Sequence, residues 1–465
     1  MTDKKKKNDI YDGITRRDAL KAMGIFASAG FLGLPFSEPA FGAAKKPNII
    51  FILSDDHRWD HMGAMGHPFL STPAMNRLAN EGVLFENAFV TTSLCSPSRA
   101  SFLTGTYAHT HGVKNNITPW QNENVTLLEL LKEERYDTAF IGKWHMPGKL
   151  PELRGVDHFI TFTAQGGQGQ YYDCPLIVNG IEEPSRKPYI TEELTDRALE
   201  FIGKERENPF CLYLAHKAVH HQFLPPEDLK NKYDDVKLDL PKEFDPWITA
   251  TKGNLLYGMI GLVPMHYRNY CEAIVAMDRE IGRLLDALDG MGIADDTIVI
   301  YASDNGYFWG EHNLVDKRWP YEEAIRVPFI VRYPRLVPDP GRRADQMVLN
   351  VDLAPTLLEI AGHRIPTHVE GQSLRSILAS KNVSGREAWL YEYFKDYPYR
   401  VPPCFMVRTK YYKYVEYAGR KRPELFNLVN DPKEYKNIYG APEGEAVLPE
   451  LAGMLAELKA QYGVS

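Results

Sequence analysis

Short apolar runs alternate with amphipathic segments along the chain, and this alternation predicts the secondary structure. Three runs are apolar throughout and rich in β-branched or aromatic residues: "NIIFIL" (48–53), "FCLYLA" (210–215) and "TIVIYA" (297–302). Such runs are typical of strands buried on both faces of a mainly parallel sheet. Weaker candidates of the same kind are "DTAFIG" (137–142) and "VPFIVRY" (327–333).

Segments with helical spacing of their apolar residues lie between the predicted strands. They cover residues 72–82, 126–135, 191–205 and 270–292. Strands that alternate with helices predict an α/β fold. Residues 215–265 contain many Pro and Gly residues and little periodicity. This stretch is typical of a long insertion that shapes a cleft.

The pattern changes after about residue 385. The segments "AWLYEYF", "CFMVRTKYYKYVEY" and "ELFNLVNDP" are aromatic and β-rich, and a helical "LPELAGMLAELKAQYG" follows them. Alternating aromatic residues of this kind belong to a strand core more often than to a sugar-binding platform. We therefore predict a main domain over residues 45–380 and a smaller C-terminal α+β subdomain with an antiparallel sheet over residues 381–465.

Polar side chains follow four of the predicted strands at the point where each strand ends. These side chains are Asp55, Asp56, Lys143, His145, His216, His220, Asp304 and Asn305. Because sites in open α/β sheets form beyond the carboxyl ends of the strands, we expect these side chains to converge. Their carboxylate and amide oxygens suit a hard divalent cation, Ca²⁺ or Mg²⁺, rather than zinc. An adjacent aspartate pair alone is common on surfaces, and the Asp-Asn pair after a second strand favours a metal site.

The first 44 residues resemble an export signal. Four lysines at positions 4–7 and the pair Arg16-Arg17 precede the apolar run "AMGIFASAGFLGLPF", and small residues follow. This is the order of a signal peptide, and the paired arginines are similar to a twin-arginine signal. An ordinary secretory signal is the alternative. Either one predicts an exported, periplasmic protein with no stable membrane anchor, because no later stretch is long and apolar enough to span a bilayer.

Net charge and cysteine content argue against two classes of function, nucleic-acid binding and zinc binding by cysteines. The 465-residue chain carries a net charge of −7, which argues against sequence-independent binding of nucleic acid. Its five cysteines show no zinc-like spacing. Cys174, Cys211, Cys271 and Cys404 can pair in an oxidising compartment, and the sequence leaves any pairing open. Cys95 then remains for chemistry.

Cys95 lies in "TTSLCSPSRASFLTG" (91–105), a Ser/Thr-rich turn that runs into a helix beside Arg99. A cysteine at a helix start close to an arginine is in the setting of a reactive cysteine. Its core "CSPSRASFLTG" resembles the signature of type I sulfatases, Cys-x-Pro-Ser-Arg followed by Thr-Gly. Further similar motifs occur in family order over residues 47 to about 375: "SDDHRWD", "GKWH", "AVHHQF", "SDNG" and "DKRWPYEEAIRVP".

The resemblance implies an alkaline-phosphatase-like α/β/α sandwich with a mainly parallel central sheet. It also implies that a separate formylglycine-generating or other sulfatase-modifying enzyme oxidises Cys95 to formylglycine (3-oxoalanine), an aldehyde. The hydrated aldehyde attacks sulfur with one hydroxyl, and its second hydroxyl allows the intermediate to expel sulfate. An unmodified, reactive Cys95 is the alternative.

The resemblance also implies a role for each candidate site residue. The metal ligands are Asp55, Asp56, Asp304, Asn305 and residue 95, with Ca²⁺ preferred over Mg²⁺. Arg99 orients the modified side chain, or alternatively packs at the helix start. Lys143 and Lys317 hold sulfate oxygens, and His145 assists the diol. His220 protonates the leaving oxygen as general acid.

The histidine assignment stays open, because the chain has "KAVHHQF" where the family usually has Pro-His-x-Pro. His216 or His221 is the alternative to His220, and one of the three can be purely structural. A second group of residues flanks the motifs and offers hydrogen bonds and local positive charge, although each alone is more often structural. This group is His57, Arg58, His111, Asn115, Trp309, His312 and Arg318.

The expected function is hydrolysis of a sulfate ester on a carbohydrate. The segment "SDNGYFWGEHNLVDKRWPYEEAIRVP" is similar to carbohydrate sulfatases, including those that act on 6-sulfated amino sugars and on algal or host polysaccharides. Two alternatives remain: a phosphonate monoester or phosphodiester hydrolase with the same nucleophile, and a secreted, non-catalytic carbohydrate-binding protein. The sequence does not identify the sugar or the sulfated position.

Overall fold

The computed structural model describes residues 45–151, 153–239, 241, 263–419 and 422–464. The predicted export signal over residues 1–44 lies outside the described residues, and so does residue 240 with residues 242–262 of the predicted insertion. Within that insertion, residues 216–239 consist of turns and one short 3₁₀ helix, Glu227–Leu229, and residues 263–265 are helical. Within the described ranges, no helix combines the length and apolar character that crossing a bilayer requires.

The centre of the described chain is a mostly parallel sheet, which confirms the predicted α/β fold. From one edge to the other its ten strands, within the described ranges, are β12 (Arg342–Leu349), β2 (Val83–Phe89), β11 (Phe329–Arg332), β8 (Thr297–Ser303), β1 (Asn48–Ser54), β7 (Phe210–Ala215), β3 (Asp137–Gly142), β4 (His158–Thr161), β5 (Leu176–Val178) and β6 (Ile181–Glu183). A separate two-stranded ribbon pairs β9 (Phe308–Trp309) with β10 (Val315–Asp316).

Helices pack on both faces of this sheet. Along the chain, the helices of the described ranges are α1 (Pro73–Glu81), α2 (Cys95–Thr104), α3 (Ala108–His111), α4 (Leu127–Glu133), α5 (Ile190–Ile202), α6 (Val263–Gly290), α7 (Glu322–Ile325), α8 (Leu353–Ala361), α9 (Arg375–Ala379) and α10 (Pro442–Gln461). Short 3₁₀ turns cover Gly63–Met65, Ala294–Asp296, Glu311–Asn313 and Asn350–Asp352. Local signals place the helix ends: Thr126 accepts the Glu129 N–H before α4, and Gly105, with φ of 70°, ends α2.

The central strand β1 shows why the fold is a three-layer sandwich. Ile50 and Ile52 belong to the hydrophobic core that contains residues of α1, α5 and α6. Ile49, Phe51 and Leu53 belong to the core on the other face, with residues of α2, α4 and α8. Successive side chains of a strand point to opposite faces, so an all-apolar run has to be covered twice. Complete burial of each such side chain contributes roughly 1.5–3 kcal/mol.

The five predicted strands are all present, but the other five strands of this sheet were not predicted: β2, β4, β5, β6 and β12. β2 carries the partly exposed Glu86 and Asn87, and β12 begins with two arginines. Both strands lie at or next to one edge of the sheet, where polar residues interrupt the apolar runs. The strand predicted over 327–333 is β11, and it pairs antiparallel with β8 and β2. Helix α6 begins at Val263, earlier than the predicted residue 270.

The predicted C-terminal antiparallel sheet is confirmed. Its strands are β13 (Ala388–Tyr393), β14 (Cys404–Thr409), β15 (Tyr412–Tyr417) and β16 (Glu424–Asn427), paired in that order, and α10 packs against them. Their aromatic side chains form a third hydrophobic core, which supports the prediction that these positions are core. The boundary between residues 380 and 381 stays a prediction.

Four neighbouring parallel strands, β8, β1, β7 and β3, direct their carboxyl ends to the same edge of the sheet. The register is close: Ser54 pairs with Ser303, and Ala215 pairs with both Leu53 and Gly142. The residues that follow these strands are therefore neighbours in space. This is the edge at which the sequence predicts the site.

Candidate active site

The structure brings the predicted strand-end residues together around Cys95. Oxygen atoms of Asp55, Asp56 and Asp304 and the Cys95 sulfur all lie within 4.8 Å of one another. All four side chains are buried. The predicted metal ligands from two different strands therefore share one small space with the signature cysteine.

Helix α2 carries the signature, and every one of its residues is buried. Cys95 is the first residue of the helix, and Arg99 lies one turn further along. Arg99 donates from Nε to Asp304 at 2.8 Å and from Nη1 to the Lys143 carbonyl oxygen at 2.9 Å. Its Nη2 lies 3.4 Å from Asp55. Arg99 thus ties the signature helix to the ends of β8, β3 and β1, which is more than ordinary packing at a helix start.

Two oxygens in this cluster have no hydrogen-bond donor among the described residues. Asn305 donates from Nδ2 to Asp56 Oδ1 at 2.5 Å and to the Gly306 carbonyl, so its own Oδ1 is left buried and without a bond. Asp56 Oδ2 is also buried and receives no hydrogen bond from a described residue. Buried oxygens without a donor are costly. Together with the neighbouring carboxylates they form a donor set that fits a hard divalent cation.

The charges of the cluster also fit a divalent cation. Burial raises the pKa of Asp56, and the positive charge of Lys317 lowers it. The negative charges of Asp55 and Asp304 raise it further, so the pKa is about 7. Burial and the charge of Asp55 also raise the pKa of Asp304. Burial also raises the pKa of Asp55, but the positive charges of Lys143 and other cations outweigh it and hold the pKa well below the usual range. A divalent cation relieves this like-charge repulsion.

Both predicted lysines are buried beside the cluster. Lys143 forms an ion pair with Asp55, and Lys317 forms one with Asp56. The Lys317 Nζ also lies 3.1 Å from the Cys95 sulfur. Burial lowers the pKa of Lys317, but Asp56 and Cys95 outweigh it and raise the pKa well above the usual value. Lys317 therefore places a positive charge beside the Cys95 sulfur.

Cys95 itself is not set up as a thiolate. Burial, followed by the charge of Asp55, raises the pKa of its thiol, although Lys317 and Lys143 lower it. Arg99, which the sequence places close to Cys95, binds Asp304 and the Lys143 carbonyl. A nucleophilic cysteine needs the opposite pKa shift.

Of the three candidate histidines, His220 lies at the cluster. One of its ring nitrogens lies within 4.8 Å of atoms of Asp55 and Cys95, and its Nε2 is 3.8 Å from Asp56 Oδ2. His216 is fully buried, and neither of its ring nitrogens has a hydrogen-bond partner in the described chain. His221 packs against Phe223 and His266 instead. The position of its ring beside Asp55, Asp56 and Cys95 therefore favours His220.

Two polar residues of the site were missed in the sequence. Gln168 lies 2.6 Å from both Lys143 Nζ and His145 Nε2. Lys217 is buried and donates to the Gln168 carbonyl oxygen at 3.2 Å. Burial and the charge of Lys143 lower the pKa of Lys217 to about 7. Lys217 follows β7 as His216 does, so the strand-end signal pointed to it, whereas no such signal exists for Gln168.

The flanking group identified in the sequence does not form a positively charged patch. His57 bonds Tyr301 and the His61 carbonyl, and His111 bonds Ser101. These two are structural. The two arginines of the group are each held by two carboxylates: Arg58 by Asp60 and Glu311, and Arg318 by Asp316 and Asp396. The three others are also engaged: Asn115 donates to the Lys395 carbonyl, Trp309 packs on Tyr307, and His312 stacks on Tyr321.

The cysteines outside the signature do not form disulfides with one another. Cys174, Cys211 and Cys271 are buried and free in the structure. Burial raises the pKa of each of these three thiols. They behave as small core residues.

Comparison with known proteins identifies relatives over most of the chain. A family model described as "Sulfatase" matches residues 47–363, and one described as "N-sulphoglucosamine sulphohydrolase, C-terminal" matches residues 310–461. An N-acetylglucosamine-6-O-sulfatase of Bacteroides thetaiotaomicron is 32% identical over 92% of this chain and 88% of its own length.

Solved structures give the same result. One, described as a complex with its substrate D-glucosamine-2-N,6-O-disulfate, is 30% identical, with a TM-score of 0.83 over 90% of this chain and 98% of its own. A phosphonate monoester hydrolase of Agrobacterium radiobacter has a TM-score of 0.74 at 23% identity over 90% of this chain and 96% of its own. The second likeness concerns the fold alone.

Proposed function

The chain belongs to the sulfatase family of the alkaline phosphatase superfamily and is a sulfuric ester hydrolase, and from this we propose that it removes sulfate from a carbohydrate through an oxidised Cys95 and a divalent cation. The observation that carries the proposal is the buried cluster of three carboxylates around Cys95, flanked by Lys143 and Lys317. A carbohydrate-binding protein without catalysis has no need of this buried set of charges.

The cation is held by Asp55, Asp56, Asp304 and Asn305, with residue 95 as a further ligand. The buried atoms Asp56 Oδ2 and Asn305 Oδ1 support this assignment, because they accept no hydrogen bond from a described residue. An all-oxygen donor set favours Ca²⁺, with Mg²⁺ as the alternative. When bound, the cation supplies Lewis-acid polarisation and positive charge next to the reacting oxygen.

The nucleophile is the hydrated aldehyde at position 95, formed from the thiol by a sulfatase-modifying enzyme during maturation. The signature at Cys95 and the match to the sulfatase family model over residues 47–363 support this assignment. One hydroxyl loses its proton to water and forms a bond to sulfur, while the bond from sulfur to the sugar oxygen breaks and that oxygen takes a proton from His220. The second hydroxyl then gives its proton to water as the carbon–oxygen bond to sulfate breaks; the electron pair of that bond leaves with sulfate, and the aldehyde is restored. Water hydrates the aldehyde again.

The remaining residues stabilise charge and move protons. Lys143 and Lys317 bind sulfate oxygens in the transition state, a role worth about 10²–10³-fold in rate for a single donor. Arg99 holds residue 95 and the strand ends in register. His145 bonds the hydroxyl groups of residue 95. His220 protonates the leaving oxygen.

The protonation state of His220 depends on the substrate. Burial and the charge of Lys143 lower the pKa of His220 well below its ordinary value. A bound sulfate ester brings a negative charge next to the ring, which favours the protonated form. Substrate binding therefore shifts His220 towards the protonated form that a general acid requires.

The first substrate to test is N-acetylglucosamine sulfated at O6, because the bacterial relative is named for that activity and the solved complex contains an O6-sulfated glucosamine. Sulfate release is measured on a panel of amino sugars and oligosaccharides that differ only in the sulfated position. An aryl sulfate and an aryl phosphodiester are included. Faster turnover of the phosphodiester than of every sulfate ester contradicts the proposal and favours a phosphonate or phosphodiester hydrolase.

We also propose that residues 1–44 direct export to the periplasm, where polysaccharide fragments are met. The paired Arg16-Arg17 ahead of an apolar run supports a twin-arginine route. Cell fractionation of the full chain and of an Arg16→Lys/Arg17→Lys variant tests this. Retention of the variant in the cytoplasm is the expected result, and unchanged export favours an ordinary secretory signal.

A further inference from the structure

One side chain links two of the proposed catalytic residues and has no role in the mechanism above. Gln168 Oε1 lies 2.6 Å from Lys143 Nζ, and Gln168 Nε2 lies 2.6 Å from His145 Nε2. Lys143 and His145 are two residues apart after β3, whereas Gln168 comes from a loop more than twenty residues further along the chain. The amide therefore forms a bridge between them.

The charge of Lys143 decides which way this amide faces. A lysine ammonium group has three donors and no acceptor. Gln168 must therefore turn its carbonyl oxygen to Lys143, which leaves its NH₂ group for the histidine. The reverse orientation would set two donors against each other. The orientation thus follows from chemistry and not from the placement of similar atoms.

This orientation has a consequence for His145. Because Gln168 donates to Nε2, that nitrogen is an acceptor, and the proton of the neutral ring is on Nδ1. His145 Nδ1 is buried and makes no hydrogen bond to another described residue. Burial and the charge of Lys143 lower the pKa of His145 well below its usual value, so the ring is neutral. Nδ1–H is then the one donor of the neutral ring.

We propose that Gln168 is a positioning residue, which holds His145 in the Nδ1–H form so that it donates a hydrogen bond to an oxygen of residue 95 or of the sulfate. This deepens, and rests on, the sulfatase function proposed above. In this form His145 acts as a donor and not as a base.

The loop that carries Gln168 is itself held in place. Lys217 Nζ donates to the Gln168 main-chain carbonyl at 3.2 Å and lies 4.8 Å from the centre of the Tyr171 ring. Gly167 has φ of 86°, and a Cβ added there would lie 3.4 Å from His145 Cα. The left-handed conformation favours glycine at this position, and the loop backbone lies in van der Waals contact with His145. The position of the amide is thus set from both sides.

The test combines a spectroscopic and a kinetic measurement on the full-length, formylglycine-containing protein. Nitrogen chemical shifts of ¹⁵N-histidine-labelled protein distinguish the two neutral tautomers, and a His145→Asn variant assigns the signal. We expect His145 to carry its proton on Nδ1. In Gln168→Glu the carboxylate accepts from the ring, so the proton moves to Nε2 and the tautomer is reversed.

The kinetic result should follow the tautomer. We expect Gln168→Glu to lower kcat by about 100- to 10,000-fold with KM changed less than about 5-fold, as for other catalytic histidines in the wrong tautomer. Gln168→Met removes both bonds with little change in shape and should lower kcat about 10- to 100-fold. Gln165→Glu is the matched control. Gln165 is in the same loop, and within the described residues its side chain is hydrogen-bonded to Gln222. It should leave kcat and the His145 signal unchanged.

Each outcome decides one point. An Nε2–H signal for His145 in the unsubstituted protein overturns the inference, whether or not a variant folds. Unchanged kcat in folded Gln168→Glu overturns it as well. An Nδ1–H signal in a protein that releases no sulfate from any ester contradicts the proposed function and leaves the tautomer assignment intact.

Discussion

Lys413 Nζ lies 3.0 Å from the main-chain carbonyl oxygen of Pro320, so a fully buried lysine of the C-terminal sheet holds the segment that carries Lys317. On either side of Lys317, Asp316 and Arg318 adopt φ of 83° and 85°, which is uncommon outside glycine. Such a backbone persists only where its surroundings hold it. The C-terminal sheet therefore holds the segment that carries Lys317, the lysine proposed to bind sulfate.

Replacing Lys413 should destabilise the protein strongly. Lys413 pairs with Glu434 at 2.5 Å and with Glu322 at 3.1 Å, all three are buried, and Lys413→Met leaves the carboxylates uncompensated. We expect a loss of about 3–5 kcal/mol in the free energy of unfolding, measured in urea. The control is Lys410→Met, since Lys410 is 54% exposed in its pair with Asp345 and the loss should not exceed about 1 kcal/mol.

A double variant tests the cause of this effect. Lys413→Met combined with Glu434→Leu removes the pair and one unpaired charge, so it should recover part of the lost stability. If Lys413→Met is as stable as Lys410→Met, the lysine does not hold the segment.

Removing one ligand charge should abolish tight cation binding. Asp56→Asn removes the charge of a carboxylate whose Oδ2 has no hydrogen-bond donor within the described residues. We expect Ca²⁺ affinity, measured by titration calorimetry after chelation, to fall by more than the roughly 10- to 100-fold typical of residues that only support a ligand. Asp286→Asn, at an 81% exposed side chain, is the control. Equal Ca²⁺ affinity of both variants would contradict the proposed metal site.

Cys95→Ser should be trapped after one turnover. Serine supplies one hydroxyl for attack on sulfur but has no second hydroxyl to expel sulfate. Intact-mass measurement after incubation with substrate should show a stable sulfated protein, while Cys95→Ala shows none. Continuous sulfate release by the serine variant would contradict the two-hydroxyl mechanism.

His220→Ala should separate substrates by their leaving group. A sugar oxygen needs a proton as it leaves, so kcat for a sulfated sugar should fall by about 100- to 10,000-fold. A nitrophenolate is stable without that proton, and turnover of nitrophenyl sulfate should fall far less. His221→Ala, which alters a ring that packs on Phe223, should reduce both rates equally if at all. Equal loss on both substrates in His220→Ala excludes it as the general acid.

Stability should depend on pH through His109. Its Nδ1 lies 2.7 Å from a carboxylate oxygen of the buried Glu392, and its Nε2 lies 2.8 Å from the Tyr462 carbonyl. Burial opposes the charge of His109, but the bond to Glu392 outweighs it and raises the pKa above 6.5. The stabilisation is therefore complete below the unfolded pKa of about 6.5 and is lost as pH rises through the higher folded value.

The measurement for His109 is a series of urea denaturation curves between about pH 5.5 and 8.5. The free energy of unfolding of the unsubstituted protein should exceed that of His109→Gln most at low pH, and the gap should narrow as pH rises. A gap that widens with pH would reverse the assigned direction of the pKa shift.

The sequence predicted most of what surrounds the site. Both faces are buried in four strands, β1, β3, β7 and β8. Their continuous apolar runs can therefore be recognised in the sequence alone. The polar residues after them had to meet, since parallel neighbours end at one edge. β2 and β12 were missed because polar residues near the edge of the sheet interrupt their pattern.

By itself, the sequence determined which reactive groups the protein has and at which edge of the sheet they gather, because apolar periodicity and strand ends are local properties. Only the tertiary structure decided which of three histidines reaches Cys95, that Arg58 and Arg318 are neutralised, and that Gln168 bridges Lys143 and His145. Those outcomes depend on the path of loops between distant elements. Hydrogen bonds and ion pairs across such distances leave no repeating pattern in the chain.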